Sequence, residues 1–262
     1  MRYLTWKIRS FLAGMRKPKS ITLEGNSQPI SFYYARSPFV PKPAYTGEYE
    51  LNETSFLLSH FSNFKTFINI GANAGWYSLI AAKLGLRTVA IEPDEINFTL
   101  LERNKELNGL YNLETYQVAC SNQEGVAVLY GGNSGSSLIK DWANLPNAAR
   151  EVRITRFDNL HPSQGDNSII YIDVEGSELS VLQGMTRFLA EQESCVMIIE
   201  ISSTQHHPDS NNANRTQTFA LLESLGFQSS YMELDGNHRP YLDWDEQVPG
   251  VSFIFSKNYP LI

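Results

Sequence analysis

Residues 67–80 read FINIGANAGWYSLI, and no other stretch limits the choice of fold as much. Phe67, Ile68 and Ile70 form an apolar, strand-forming run that stops at Gly71, while Trp76, Leu79 and Ile80 resume at the spacing of one helix face. A sharp strand-to-helix turn is predicted. Gly71 and Gly75 lack Cβ atoms, so the backbone can take positive φ and a ligand can approach the peptide groups closely. The free NH groups and positive dipole end of the new helix are expected to face that ligand.

Residues 88–91 make a second short apolar strand that ends in Glu92-Pro93, about 20 residues beyond Gly71, where nucleotide-binding α/β folds place a carboxylate for ribose hydroxyls. Ionised, Glu92 only accepts hydrogen bonds, and a ribose offers two hydroxyl donors side by side. The turn reads G-A-N-A-G. With Asn73 where a dinucleotide site has its second glycine, the G-x-G-x-x-G fingerprint is not met; a cofactor without a pyrophosphate is expected, and a nicotinamide oxidoreductase is disfavoured.

A second anchor follows at residues 168–172, an apolar strand that delivers Asp173, with Glu175, Gly176 and Glu178 behind it at the start of a helix. Clustered carboxylates raise one another's pKa and invite a proton or a cation. In a doubly wound sheet this strand lies beside the one ending at Gly71, so Asp173 is expected to face the cofactor across the switch point. The next strand, 196–201, brings Glu200 to a neighbouring strand end. Asp173 and Glu200 could share a divalent metal, but two carboxylates are an incomplete oxygen set, so no metal is assigned. His206 and His207 sit on the same sheet edge, and His206 is a candidate base because histidine titrates near neutrality.

These blocks resemble S-adenosylmethionine-dependent methyltransferases, and within them the FkbM-type family. The resemblance rests on NIGANAGWYS (69–78), AIEP (90–93), the ELNG stretch ending at Gly109, SSL (136–138), RFDNL (156–160), YIDVEGSEL (171–179) with VLQG following, and IIEIS (198–202), in the family's order. Two positions depart from it: Asn69 stands where the family usually has an acidic residue, and Tyr171 where it usually has a lysine. The resemblance implies an α/β class I methyltransferase fold, a Rossmann-like doubly wound sheet, mostly parallel with an antiparallel C-terminal strand, plus an N-terminal extension. It also implies relatives that methylate sugars and secondary metabolites. The cofactor expected is S-adenosylmethionine, with contacts from Asn69, Gly71, Ala72, Asn73, Gly75, Glu92, Ala119 and Asp173. Asp173, Glu175 and His206 are the catalytic candidates. O-methylation of a hydroxyl on a sugar, glycan or small metabolite is expected; N-methylation and a catalytically silent cofactor- or partner-binding module are the alternatives.

The remaining chain divides into residues 1–49, a basic amphipathic segment and connecting arm, and residues 50–262, the methyltransferase domain, with a loop insertion at 131–149. In MRYLTWKIRSFLAGMRKPK, Leu4, Ile8, Phe11, Leu12 and Met15 share one helical face. Residues 1–20 carry six basic residues and no acid, which leaves −13 for the rest of a chain whose net charge is −7. That segment can dock on the domain or a partner chain, or touch an anionic membrane. The acidic remainder argues against a nucleic-acid platform. Lys7 and Arg9 interrupt the apolar stretch that a signal peptide needs, and Cys120 and Cys195 read as reduced core residues, so a cytoplasmic location is expected. A homo-oligomer stays open.

Residues 96–108 read as a helix with Leu100, Leu101 and Leu107 inward, closed by Asn108-Gly109, and 113–120 as the third strand. Residues 126–130 and 151–155 read as a hairpin or meander. The polar excursion between them is expected to be a substrate-side loop or a plain surface excursion, with Lys140, Trp142 and the Ser136-Ser137 pair as contacts for a hydroxylated substrate.

Overall fold

The computed structural model describes residues 19–21, 29–33, 49–132, 135–144, 148–160, 167–202, 206–208, 211–233, 235–241 and 252–261. Residues 1–18 of the basic segment lie outside the described residues.

An eight-stranded sheet organises the molecule. Its strands are β3 (Thr66–Ile70), β4 (Arg87–Ile91), β5 (Leu113–Tyr116), β9 (Ser168–Ile172), β10 (Cys195–Glu200), β11 (Gln228–Met232), β12 (His238–Pro240) and β13 (Ser252–Lys257), in the order β12-β11-β13-β10-β9-β3-β4-β5. β5, β4, β3, β9 and β10 pair in parallel. β13 inserts antiparallel between β10 and β11. The strand order reverses between β3 and β9, so a crevice opens beyond their C-terminal ends, where open α/β sheets bind ligands.

Side-chain alternation explains why both faces are covered. On β3, Phe67 enters one core while Ile68 and Ile70 enter the other, and β9 repeats the division with Ile169 and Tyr171 against Ile170 and Ile172. Strands buried on both faces need apolar residues at nearly every position, as TFINI and SIIYI supply. The first face carries α1 (Leu51–His60), α2 (Trp76–Lys83) and α3 (Glu95–Asn108); the second carries α4 (Phe157–Leu160), α5 (Glu178–Gly184), α6 (Thr186–Glu191) and α7 (Arg215–Ser224).

Two short strands, β1 (Lys19–Ile21) and β2 (Ile30–Phe32), form an antiparallel ribbon, and Ile30 and Phe32 are buried in the first core. The ribbon is held by asparagines of α3. Asn104 Oδ1 accepts from Tyr33 N at 2.6 Å and Asn108 Oδ1 from Ser31 N at 2.9 Å. Because Asn104 and Asn108 hold the inward stripe at the end of α3, Leu107 is turned outward and is 38% exposed, against the inward position predicted for it.

The expected third strand, 113–120, is also two. β5 stops at Tyr116 because its partner β4 stops at Ile91, and the chain then crosses to β6 (Ala119–Cys120). β6 pairs in parallel with β8 (Arg150–Thr155), which pairs antiparallel with β7 (Gly125–Leu129), the hairpin expected from the sequence. Cys120 and Cys195 are free and buried. Among the described residues no helix is long and apolar enough to cross a membrane.

Candidate active site

The glycine turn fixes one side of the crevice. Gly71 and Gly75 both have positive φ, 88° and 97°. At Gly71 a side chain is also sterically excluded, since a Cβ would lie 1.7 Å from the Asp173 carbonyl oxygen; β3 and β9 meet backbone to backbone there. The NH groups of the turn itself are engaged within the protein. Those of Gly71 and Ala72 donate to Ile91 O, that of Asn73 to Glu92 Oε2 at 2.8 Å, and that of Gly75 to Ala72 O. The turn ties itself to the end of β4, which suits a cofactor with no phosphate to cradle.

Glu92 is the acceptor that this arrangement creates. Besides Asn73 N, it takes Asp94 N at 2.9 Å and the side chain of Asn97 at 3.4 Å. It is 5% exposed yet lines the cleft. Burial, and then the neighbouring Asp94 carboxylate, push its pKa up to about 7, while the three hydrogen bonds oppose the rise. Asp94 itself caps α3 by accepting from Ile96 N and Asn97 N, and its other oxygen meets the Arg150 guanidinium.

The cleft encloses about 590 Å³, some of it open to solvent. Gly71, Asn73, Glu92, Ala119 and Asp173 all line it, with Asn97, Val118, Leu129, Ser136, Leu138 and Glu175. Val118, Ala119, Leu129 and Leu138 supply the apolar part of the lining, and Asn73, Glu92 and Asn97 a polar part. The structure places Asn69, Ala72 and Gly75 behind the lining. Asn69 is buried, donates to Ser78 Oγ at 3.0 Å and leaves its own Oδ1 without a partner.

Beyond β9 the carboxylates gather as predicted. In register Ile172 faces Ile199, so Asp173 and Glu200 follow at adjacent strand ends. Burial, then Glu200 and Glu175, raise the Asp173 carboxyl well above its ordinary range; burial, then Glu175 and Glu50, raise Glu200 to about 8. Glu50, at the start of α1, joins them: its Oε2 accepts from Tyr77 at 2.5 Å and Tyr171 at 3.5 Å. Tyr171 thus hydrogen-bonds to this acid, with its ring 4.5 Å from that of Tyr77. Sequence reasoning missed Glu50, whose only signal was its place at the start of the helical pattern. Among the described residues no group of three or more His, Cys, Asp or Glu side chains is arranged to hold a metal ion.

Glu175 has φ 54°, a left-handed conformation that costs a non-glycine residue and persists only where its surroundings hold it. The insertion does the holding. Trp142 Nε1 donates to Glu175 Oε2 at 2.7 Å, Ser137 Oγ donates to Glu175 O at 2.6 Å, and Ile139 and Trp142 pack on Gly176. Burial raises the Glu175 pKa, and the Trp142 hydrogen bond works against it. Glu178, at the start of α5, bends back to accept from Gly176 N at 2.7 Å, and burial takes it to about 7.

Trp142 and Ser137 are buried, and their polar atoms are committed to Glu175, so they are supports and not the substrate contacts predicted for them. Lys140 is exposed. His206 lies outside the cleft lining; its ring and that of His207 pack on Trp142 at 5.6 and 4.7 Å, and its carbonyl accepts from Ala143 N.

Comparison with known proteins shows the family of the chain. The sequence model of the Methyltransferase FkbM domain matches residues 69–229, more than half of the chain. No curated protein matches it. Among solved structures, precorrin-6y C5,15-methyltransferase from Geobacter metallireducens GS-15 is similar at 12% identity, over 86% of this chain and 92% of that one, with a TM-score of 0.44. The human methyltransferase 10 domain containing protein is similar at 13% identity, over 79% of each chain, with a TM-score of 0.42.

Proposed function

Starting from the chain's membership of the FkbM methyltransferase family, which makes it an S-adenosylmethionine-dependent methyltransferase, we propose that it methylates a hydroxyl group on a sugar, glycan or small secondary metabolite. The observation that carries this reading is the meeting of Asp173 and Glu200 at adjacent strand ends, with Asp173 on the cleft wall. A hydroxyl must lose its proton as it attacks. Carboxylates with raised pKa are stronger bases than ordinary ones, and a positioned general base contributes on the order of 10²–10⁴ in rate.

The residues divide the work. Glu92 would hold the ribose hydroxyls, and Val118, Leu129 and Leu138 would form the apolar surface for the flat base. When bound, the cofactor supplies an electrophilic methyl carbon on its sulfonium. Asp173 takes the acceptor's proton, with Glu200 beside it raising its proton affinity, and Glu175, fixed by Trp142, orients the hydroxyl. Holding two reactants in line contributes on the order of 7–11 kcal/mol. His206 packs on Trp142 outside the cleft lining, and this reading does not use it as the base. The two free, buried cysteines support a reducing, cytoplasmic location.

N-methylation is the second reading, favoured by the same cluster, since Glu50, Asp173, Glu175 and Glu200 would also attract an ammonium acceptor. One experiment separates the two: S-adenosylhomocysteine release is measured against matched panels of hydroxylated and amine compounds, with wild type and Asp173→Asn. Turnover on hydroxyl compounds that Asp173→Asn abolishes supports O-methylation. Turnover confined to amines overturns it, and no turnover on either panel from a protein that binds the cofactor points to a silent module.

A further inference from the structure

We propose that Arg150 is a positioning residue that latches the start of the insertion onto the ribose-carboxylate loop, making Ser136 and Leu138 the outer wall of the cofactor site and not an acceptor-side surface. The inference rests on the cofactor reading of the cleft given above.

Arg150 opens β8 directly opposite Leu129 of β7, at the point where the insertion leaves the hairpin. Its guanidinium serves three partners. Nη1 donates to Gly131 O at 2.7 Å; Nη2 donates to Ser136 Oγ at 2.9 Å and also meets Asp94 Oδ2. Asp94 is almost wholly buried, 1% exposed at the side chain, and Arg150 is 13% exposed. A planar, forked cation is suited to bridging a carboxylate and two further oxygens at once, which a lysine is not.

The chain of contacts continues inward. The other Asp94 oxygen caps α3 at Ile96 N and Asn97 N, and Asp94 N donates to Glu92 Oε1. Glu92, Asn97, Ser136 and Leu138 all line the same cleft. Arg150 therefore connects the two banks of the cleft, the ribose side through Asp94 and the insertion side through Ser136 and Gly131. Without it, Asp94 would be a buried carboxylate lacking its counter-charge, two residues from Glu92. The polar groups facing Glu92 are Asn73, Asp94 and Asn97, so an uncompensated Asp94 charge would make Glu92 retain its proton to higher pH.

The test is calorimetric titration with S-adenosylhomocysteine across pH 6–9. Arg150→Met should bind about tenfold or more weakly than wild type, the loss expected for a charged hydrogen-bonded contact. The pH at half-maximal affinity should also move up. Arg150→Lys keeps a charge beside Asp94 without the fork and should bind about fivefold more weakly, which keeps the proposal testable if the methionine variant does not fold. Combined with Glu92→Ala, Arg150→Met should add little, because residues acting through one another are not additive. Wild-type-like affinity in a folded variant, or independent losses in the double variant, would overturn the latch alone. Absence of binding by wild type would instead remove the cofactor reading, and the latch with it.

Discussion

Trp142 donates its indole NH to the Glu175 carboxylate across 2.7 Å, joining a residue of the insertion to the turn that follows β9. The contact converts an apparently loose polar excursion into a support for the strained turn that carries Glu175.

Replacing Trp142 with Phe keeps much of the ring packing on Gly176 and removes the donor. Since that hydrogen bond favours the charged Glu175, its loss should raise the Glu175 pKa further. The expected result is turnover lowered about tenfold, with the rising limb of the pH–rate profile displaced to higher pH. An unchanged profile would show that Glu175 does not act in its ionised form.

Asp173→Asn tests the base itself. Turnover should fall by about 10² or more, the usual contribution of a positioned base, while S-adenosylhomocysteine affinity stays within about threefold. In wild type, kcat/KM should rise with pH through the region near 8 where Glu200 titrates, because the Asp173–Glu200 pair must shed its proton before it can accept one. A profile flat from pH 6 to 9 would remove this pair from the mechanism.

Stability should fall as pH rises. Glu92 and Glu178 have ordinary values of 4.5 and are raised to about 7 in the fold, so between those pH values the native state binds more protons than the unfolded chain. Their stabilising contribution is complete below pH 4.5 and is lost as pH climbs through 7. One such shift corresponds to about 3 kcal/mol. Thermal unfolding should therefore show a higher midpoint at pH 5.5 than at pH 8.5, and the reverse order would contradict the burial of these carboxylates.

Gly71→Ala places a methyl group 1.7 Å from the Asp173 carbonyl oxygen at a backbone φ of 88°. β3 and β9 would have to separate, so we expect a loss of about 3 kcal/mol or more, or no soluble protein. A thermal midpoint within a few degrees of wild type would show that the strands can part cheaply.

The strand-to-helix turn, Glu92 and the Asp173 strand end were legible because each depends on neighbours in sequence: an apolar run, a glycine, a carboxylate at a fixed offset. What was not legible depends on distant pairings. The break between β5 and β6 is set by where β4 ends, and the outward turn of Leu107 by two asparagines holding a ribbon some seventy residues upstream. Trp142 looked like a substrate contact because nothing local says that its NH meets Glu175, and Arg150 gave no signal, as its three partners lie on two other loops. The tie between the glycine turn and β4 gave no local signal either, since its acceptors, Ile91 O and Glu92, belong to the end of another strand.

The central claim is that this cleft holds S-adenosylmethionine through Glu92, and calorimetric titration with S-adenosylmethionine and S-adenosylhomocysteine tests it most directly. We predict micromolar binding of both by wild type, weakened about 10- to 100-fold in Glu92→Ala, the cost of losing a charged hydrogen-bond acceptor. Absence of binding by wild type, or undiminished binding by folded Glu92→Ala, would contradict it.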